Sequence, residues 1–413
     1  MNRLKIHNIN FKAKLQGVYP VNAGKLLQYI EGRVISLIVK LAIAQMLFNA
    51  IFQFSNLFIN TYIFIRSSDI RVVAEYNFYL YMFWGISFYY GFKCCEKSTR
   101  ISFTIAGLAS LLGTILLIVE VNHPFWLGLM LGITAGFFWP PYLAVYRALG
   151  KISEGSNTFA KASILGSVVV ILIPILFGHL VEEKGYLLGF ICISLLSIGL
   201  IGFGFVLPQR QTKRISLGIH SFHHLRLIFT NALQGFYLSF IGISAGLLVF
   251  LSGEGEAEVG TYGTFYGLLT LVINIMMGFF LPKHFNSLGI LISSIIYCFS
   301  TGLFLTNWDS KIILFNFLMA AAGPLFLNPT TGLNFSYINS VFRNGEEGLF
   351  VRECGLSIGR LLFFIYMFID GLNVQSISFY LFLFTTSLFP FLIYLLTRKW
   401  MTSSMKMEVT QSG

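Results

Sequence analysis

Charge is scarce in this sequence. Only 11% of its 413 residues are Asp, Glu, Lys or Arg, 56% are hydrophobic, and mean hydropathy is +0.75. A soluble domain of this length needs far more polar surface, so the composition excludes a water-soluble protein and points to an integral membrane protein. Cysteine is scarce too. Cys94, Cys95, Cys192, Cys298 and Cys354 show neither C-x-x-C nor metal-ligand spacing, which excludes a disulfide framework and leaves them as small packing residues. The chain lacks H-E-x-x-H, a P-loop and G-x-S-x-G. An enzyme is therefore not expected, nor ATP-driven transport by this chain alone, nor a cofactor or metal. A signal peptide is not expected either, because the first apolar run follows more than thirty residues of polar tail and is too long for an h-region.

What is present is a series of apolar runs, each about 20 residues, the length that crosses a bilayer core. Twelve are read at 38–64, 72–92, 102–121, 125–146, 162–181, 185–207, 227–251, 260–281, 286–305, 311–334, 352–372 and 376–397. All must be helical, since an unclosed strand would leave backbone groups unpaired in lipid. The expected fold class is all-α, with the lipid bilayer as its main partner.

The net charge of +11 could suggest nucleic acid, but its distribution describes topology instead. Of the 28 Lys and Arg, with Lys311 and Arg352 at the first residue of their spans counted with the adjoining loops, 22 fall in the tails and even-numbered loops, 4 in the odd loops (Arg66, Arg71, Lys184, Lys311), and Lys40 and Arg360 lie within spans. That bias predicts both termini in the cytoplasm. No nucleic-acid partner is expected. The compact loops suggest a bacterial inner membrane.

The polar stretch 208–226 falls between spans six and seven and divides the chain in two. The expected organisation is a cytoplasmic N-terminal tail (1–33), a six-helix bundle (34–207), a cytoplasmic linker (208–226), a second bundle (227–397) and a cytoplasmic C-terminal tail (398–413). His220, His223 and His224 in the linker have no fourth ligand nearby, so a metal site is not read there. The two parts echo each other. Phe48-Asn49-Ala50 with Gln53 in span one matches Thr230-Asn231-Ala232 with Gln234 in span seven. AGFFWPP from Ala135 matches AGPLFLNP from Ala322, and Phe159-Ala160-Lys161 matches Phe350-Val351-Arg352. Three echoes in order predict a six-helix repeat.

With two six-helix parts, both ends inside and a cytoplasmic linker, the sequence resembles the major facilitator superfamily. Its loop after span two, GFKCCEKSTR, keeps only Gly91 and Arg100 of that superfamily's loop motif and lacks its acidic residue. In span five, Pro174 and Gly178 fit an antiporter motif whose neighbouring glycines are missing. AGFFWPPYLAVYRAL in span four and VRECGLSIGRLL in span eleven resemble a bacterial subgroup. The resemblance implies twelve transmembrane helices in two pseudo-symmetric bundles, a midplane site between them, and span one on its wall.

The polar residues inside spans are the candidate site. Asn49, Gln53, Asn56 and Asn60 step by four, three and four, so at 100° per residue they fall within an arc of about 60° over about 16 Å of helix. Such a stripe has two readings: amides bonding across a packed interface, or a wet cavity wall touching a polar solute. Phe48, Phe52, Phe54 and Phe58 around it favour the cavity. Asn231 and Gln234 stand in the same two alternatives across the cavity. Arg360 lies about 12 Å deeper along its helix than Arg352. It can pair with Glu353 through an intervening group, face the cavity and meet an anionic solute, or snorkel to the cytoplasm. Lys161 and Arg352 are read at the cytoplasmic ends of spans five and eleven, in coupling or gating with Glu353 and Arg360. Trp139-Pro140-Pro141 and Asn328-Pro329 are expected to interrupt spans four and ten, with Trp139 and Asn328 on the cavity wall. No Asp or Glu sits at the centre of any span, so proton coupling through Glu353 and Arg360 and facilitated diffusion both stay open.

Two functions follow. The first is a secondary active transporter, expected to be monomeric, moving a small polar or amphipathic solute such as an exported metabolite, drug or peptide by alternating access. The second is a transporter-like fold used as a membrane receptor or accessory subunit.

Overall fold

The computed structural model describes residues 23–148, 156–207, 209, 212, 222–252, 255–280, 285–306, 310–342, 344–371 and 376–397; the side chains of 23–38, 146–148, 156–167, 169–170, 285–287 and 305 are not described. The tail before residue 23, most of the linker and the C-terminal tail thus lie outside the described residues.

Twelve helical units follow the twelve apolar runs. We number them α1 (Ala23–Phe54, continuing through Ser55–Ile59 and Asn60–Ser67), α2 (Ile70–Lys97), α3 (Thr99–Ile118), α4 (Pro124–Ala148), α5 (Ser156–Lys184) and α6 (Tyr186–Val206). The second set is α7 (Phe222–Ile243 through Ser244–Leu248 to Val249–Leu251), α8 (Glu256–Ile275 with Met276–Phe280), α9 (Phe285–Gly302 with Leu303–Leu305), α10 (Lys311–Val341), α11 (Gly345–Asp370) and α12, which starts as Ile377–Ser387. After a turn at Leu388, α12 is helical again to residue 397. No strand occurs among the described residues. Eight of these helices are long and apolar enough to cross a bilayer. The chain is a multi-pass membrane protein. Of the others, α2 carries five tyrosines, and α11 carries charge inside its length, where Arg352, Glu353 and Arg360 pair as described below.

Segment LLQYIEGRV belongs to α1 itself, because one helix runs from Ala23 to Phe54. The prolines do not break their helices as expected. α4 stays helical through Pro140 and Pro141, and α10 through Pro324 and Pro329. Neighbouring helices hold these segments in shape, as membrane bundles allow. Gly91 shows the closeness involved: a Cβ there would lie 2.6 Å from the carbonyl oxygen of Gly136 and 2.9 Å from Pro140.

Two helix pairs join the halves. α2 packs on α11, with Tyr81 stacked 5.5 Å from Phe364. α5 packs on α8 by backbone approach, where a Cβ on Gly178 would stand 2.9 Å from the Cα of Gly260. Only glycine permits that contact. α1 and α7 cross at two wide π-turns, Ser55–Ile59 and Ser244–Leu248. A Cβ on Gly246 would lie 3.2 Å from the Cα of Leu57.

The contacts between halves cluster at the end away from the chain termini. There the Tyr186 hydroxyl donates to Glu256 at 3.2 Å and shares a bond with Thr61 at 3.1 Å. The amide of Ala257 donates to Glu182 at 2.7 Å, and Phe64 meets Phe250 at 6.5 Å. This end of the molecule is shut.

Candidate functional site

Between the halves lies a cavity of about 560 Å³, walled by helices from both. That falls within the range of about 300–1,000 Å³ typical of small-molecule sites. Its wall is mostly apolar, with polar groups placed at intervals. α1 supplies Gln45, Asn49 and Gln53 at four-residue spacing, one face of one helix. The phenylalanines of α1 back this face. Phe48 stacks on Phe138 of α4 at 4.1 Å, and Phe52 meets Trp84 of α2 edge-on at 5.2 Å. The amides therefore stand on a rigid aromatic base.

The lower part of the expected stripe is elsewhere. Asn60 is buried, donating to the carbonyl of Asn56 at 2.9 Å and accepting from Asn77 at 2.7 Å. Asn56 sits at the α1–α7 crossing and does not line the cavity. The reason is the π-turn at Ser55–Ile59. Its extra residue swings everything beyond it by about 100°, so the regular spacing no longer describes one face.

Gln234 of α7 lines the cavity but Asn231 does not. Asn231 is buried, donating to the carbonyl of Leu227 at 2.8 Å and accepting from Asn334 of α10 at 3.0 Å. It is an interhelical bond, not a cavity group. Trp139 lines the cavity and meets Phe48 edge-on at 5.5 Å. Asn328 lines it and donates to Asn274 of α8 at 2.8 Å. Lys161 lies on α5, but its side chain is outside those described.

The charged end of the cavity is on α11. Arg360 donates directly to Oε1 of Glu353 at 3.0 Å, with no intervening group. Arg352 reaches Oε2 of the same carboxylate at 3.9 Å. Both arginines keep a small exposed fraction, 14% for Arg352 and 12% for Arg360, while Glu353 keeps 7%. The Arg360 guanidinium also stacks over Trp84 at 4.4 Å and Tyr81 at 5.0 Å, both on α2 of the other half. Arg352 lies 5.9 Å from the ring of Phe335. All three charged residues line the cavity. Arg360 therefore pairs directly with Glu353 and lines the cavity.

The sequence reading passed over several lining residues. Gln45 lies one turn before Asn49 and accepts from the Tyr142 hydroxyl at 2.7 Å; the four-residue spacing was the available signal. Asn316 accepts from Ser244 at 2.9 Å, and Asn274 pairs with Asn328. Trp84 and Tyr266 line the wall with no local signal to separate them from the many other aromatics. Among the described residues no cluster of His, Cys, Asp and Glu is arranged to hold a metal.

No family model matches the sequence. The uncharacterized protein YqgE of Bacillus subtilis (strain 168) is 24% identical over 329 residues, covering 75% of this chain and 76% of that protein. Solved structures agree in architecture across most of the chain. The human organic anion transporter MFSD10 (TETRAN) superposes with TM-score 0.61 at 13% identity, covering 88% of this chain and 99% of that one. The chain has the major facilitator fold. A bacterial homologue of the iron transporter ferroportin, in an outward-facing state, gives TM-score 0.61 at 13% identity over 89% of this chain and 99% of its own. A POT family transporter in complex with 5-aminolevulinic acid gives 0.65 at 12% identity over 88% and 96%. Within the major facilitator fold, the cavity of this protein lies where the two six-helix bundles face each other.

Proposed function

We propose that the protein is a secondary transporter that moves a small polar or amphipathic solute across the membrane by alternating access. The observation that carries this reading is the cavity itself. It is walled by both halves, lined by amides and aromatics, and shut at one end by contacts that join the halves. A transporter with this fold needs a site that both bundles touch and an end that opens when they rock. The moving bodies are residues 34–207 and 227–397. Asn49, Gln53, Trp139, Gln234 and Asn328 contact the solute, and Arg352, Glu353 and Arg360 form its charged pole. On the charge bias of the loops, both termini lie in the cytoplasm and the shut end is the outer one. The named solutes of the structural neighbours differ from one another, so they do not choose a substrate here.

The test is a pair of distance measurements between spin labels on exposed positions. Ser68 and Ser252 report on the shut end, and Lys97 and Val341 on the opposite end. Transport by alternating access gives two populations at each pair, with one end lengthening as the other shortens. A single fixed population at both pairs, in a bilayer and over a range of pH, would sink the reading in favour of a receptor or accessory subunit.

A further inference from the structure

Glu353 uses both of its oxygens on the two arginines beside it, Arg360 at 3.0 Å and Arg352 at 3.9 Å. Its single negative charge leaves one positive charge uncompensated among the described charged residues that line the cavity. Two guanidiniums carry ten N–H donors between them, and one carboxylate cannot occupy them all. The Nε of Arg352 has no hydrogen-bond partner among the described residues, nor do the indole N–H groups of Trp84 and Trp139. Among the described lining side chains, the buried polar atoms without a partner are thus three donors and one acceptor, Gln234 Oε1, while the amides of Asn49 and Gln53 offer both kinds of group. A site with spare donors and net positive charge discriminates against cations and rewards an oxyanion acceptor.

The rest of the wall sets the other end of the ligand. Trp84, Trp139, Tyr142 and Phe335 surround a mostly apolar space, and flat aromatic faces favour a flat or apolar body. We propose that this cavity selects small organic monoanions: solutes with one carboxylate or similar oxyanion group at one end and an apolar, flat body at the other. The anionic group docks on Arg352 and Arg360, and the body lies against the tryptophans. This rests on the transport reading above and names its substrate class. A second negative charge on the solute would face Glu353 without a further cation and is disfavoured.

The experiment measures the sign of the field in the cavity, so no physiological ligand is needed. The full-length chain, with its five cysteines replaced by alanine, carries Asn49→Cys. Two methanethiosulfonate reagents of similar size, one bearing a sulfonate and one a trimethylammonium group, are compared by rate. The rate ratio is taken relative to that for free cysteine. One uncompensated charge predicts a ratio of about ten in favour of the sulfonate. Glu353→Gln raises the ratio, and Arg352→Gln or Arg360→Gln lowers it towards one. Protection of the cysteine by 3-phenylpropionate, but not by 3-phenylpropylamine, is expected alongside. Labelling that proceeds with no anion preference, or with a cation preference, overturns the monoanion class and leaves the transport reading standing. If the neutral methyl methanethiosulfonate also fails to react, the wet cavity itself is refuted, and both readings fall. The wild-type charge pattern gives the first answer, so a variant that does not fold leaves the test intact.

Discussion

The guanidinium of Arg360 lies 4.4 Å above the indole of Trp84, and the two residues belong to opposite halves of the molecule. One face of the charge is thus held by the neighbouring bundle, while its edge is held by Glu353 on its own helix. A cation over an aromatic ring is worth about 0.5–2 kcal/mol, more when water is excluded. Trp84→Leu is expected to weaken the α2–α11 contact by that amount, and Trp84→Phe by less. Thermal unfolding of the purified full-length protein checks the order wild type, Trp84→Phe, Trp84→Leu. Equal melting of all three would mean that the stacking contributes nothing.

Glu353 is the counter-charge for two arginines. Removing a partner from a buried ion pair costs about 3–5 kcal/mol, because the charge left behind stays desolvated. Glu353→Ala should therefore destabilise strongly. The double variant Glu353→Ala with Arg360→Gln should recover part of the loss, since it removes one of the two stranded charges and leaves that of Arg352. A double-variant cycle on melting temperatures reads the coupling. Additive losses would show that the two side chains do not interact in the folded protein.

The shut end depends on the backbone contact between Gly178 and Gly260. Gly260→Val puts methyl groups into α5 and should force that end apart without touching the cavity wall. Water-soluble thiol reagents added from that side should then reach Asn49→Cys, a cavity position, at least several times faster than in the parent. An unchanged rate would mean that the contact does not gate access.

Tyr186 links the halves through Glu256. A hydrogen bond to a charged group contributes about 1.5–3 kcal/mol. Tyr186→Phe should shift the Ser68–Ser252 spin-label distances towards the longer population, with folding intact. A distribution identical to the parent would assign the closure to the glycine contact alone.

Asn49 and Asn60 should respond in opposite ways. Asn60 bonds to Asn77 inside the N-terminal half, so Asn60→Ala strands a buried amide and should lower stability by about 1–3 kcal/mol. Asn49→Ala should leave stability nearly unchanged and alter solute binding. Melting curves of the two variants side by side decide whether the stripe divides as the structure divides it.

Much of the architecture was legible because the bilayer imposes one length scale and one secondary structure on each span. The upper half of the α1 stripe was legible for the same reason, since regular helical spacing holds from Gln45 to Gln53. It failed at Asn56 and Asn60 because a π-turn leaves no clear mark in residue types. Asn231 shows a second kind of failure. The echo that aligned it with Asn49 spans 182 residues, while those in spans four and ten and in spans five and eleven span 187 and 191. The contact of Leu57 with Gly246 spans 189. In that register the counterpart of Gln234 is Gln45, and both line the cavity. The Phe-Asn-Ala match was out of phase by seven residues, two helical turns, so it preserved the face and mistook the depth. Glu353 and Arg360, seven apart on one helix, could be paired by eye; Trp84 could not, because its role comes only from the opposite half.

The crossing of α1 and α7 has the geometry of a clothes-peg with its rivet at Leu57 and Gly246, whose blades close as its handles part. From the rivet to Phe64 is seven residues, about 10 Å of helix, and from the rivet to Gln45 is twelve, about 18 Å. For stiff arms rocking on that contact, a parting of about 1 Å at Phe64 and Phe250 is matched by an approach of nearly 2 Å at the longer ends. The short handles sit at the shut end and the long blades flank the solute, so small adjustments at the one are magnified at the other.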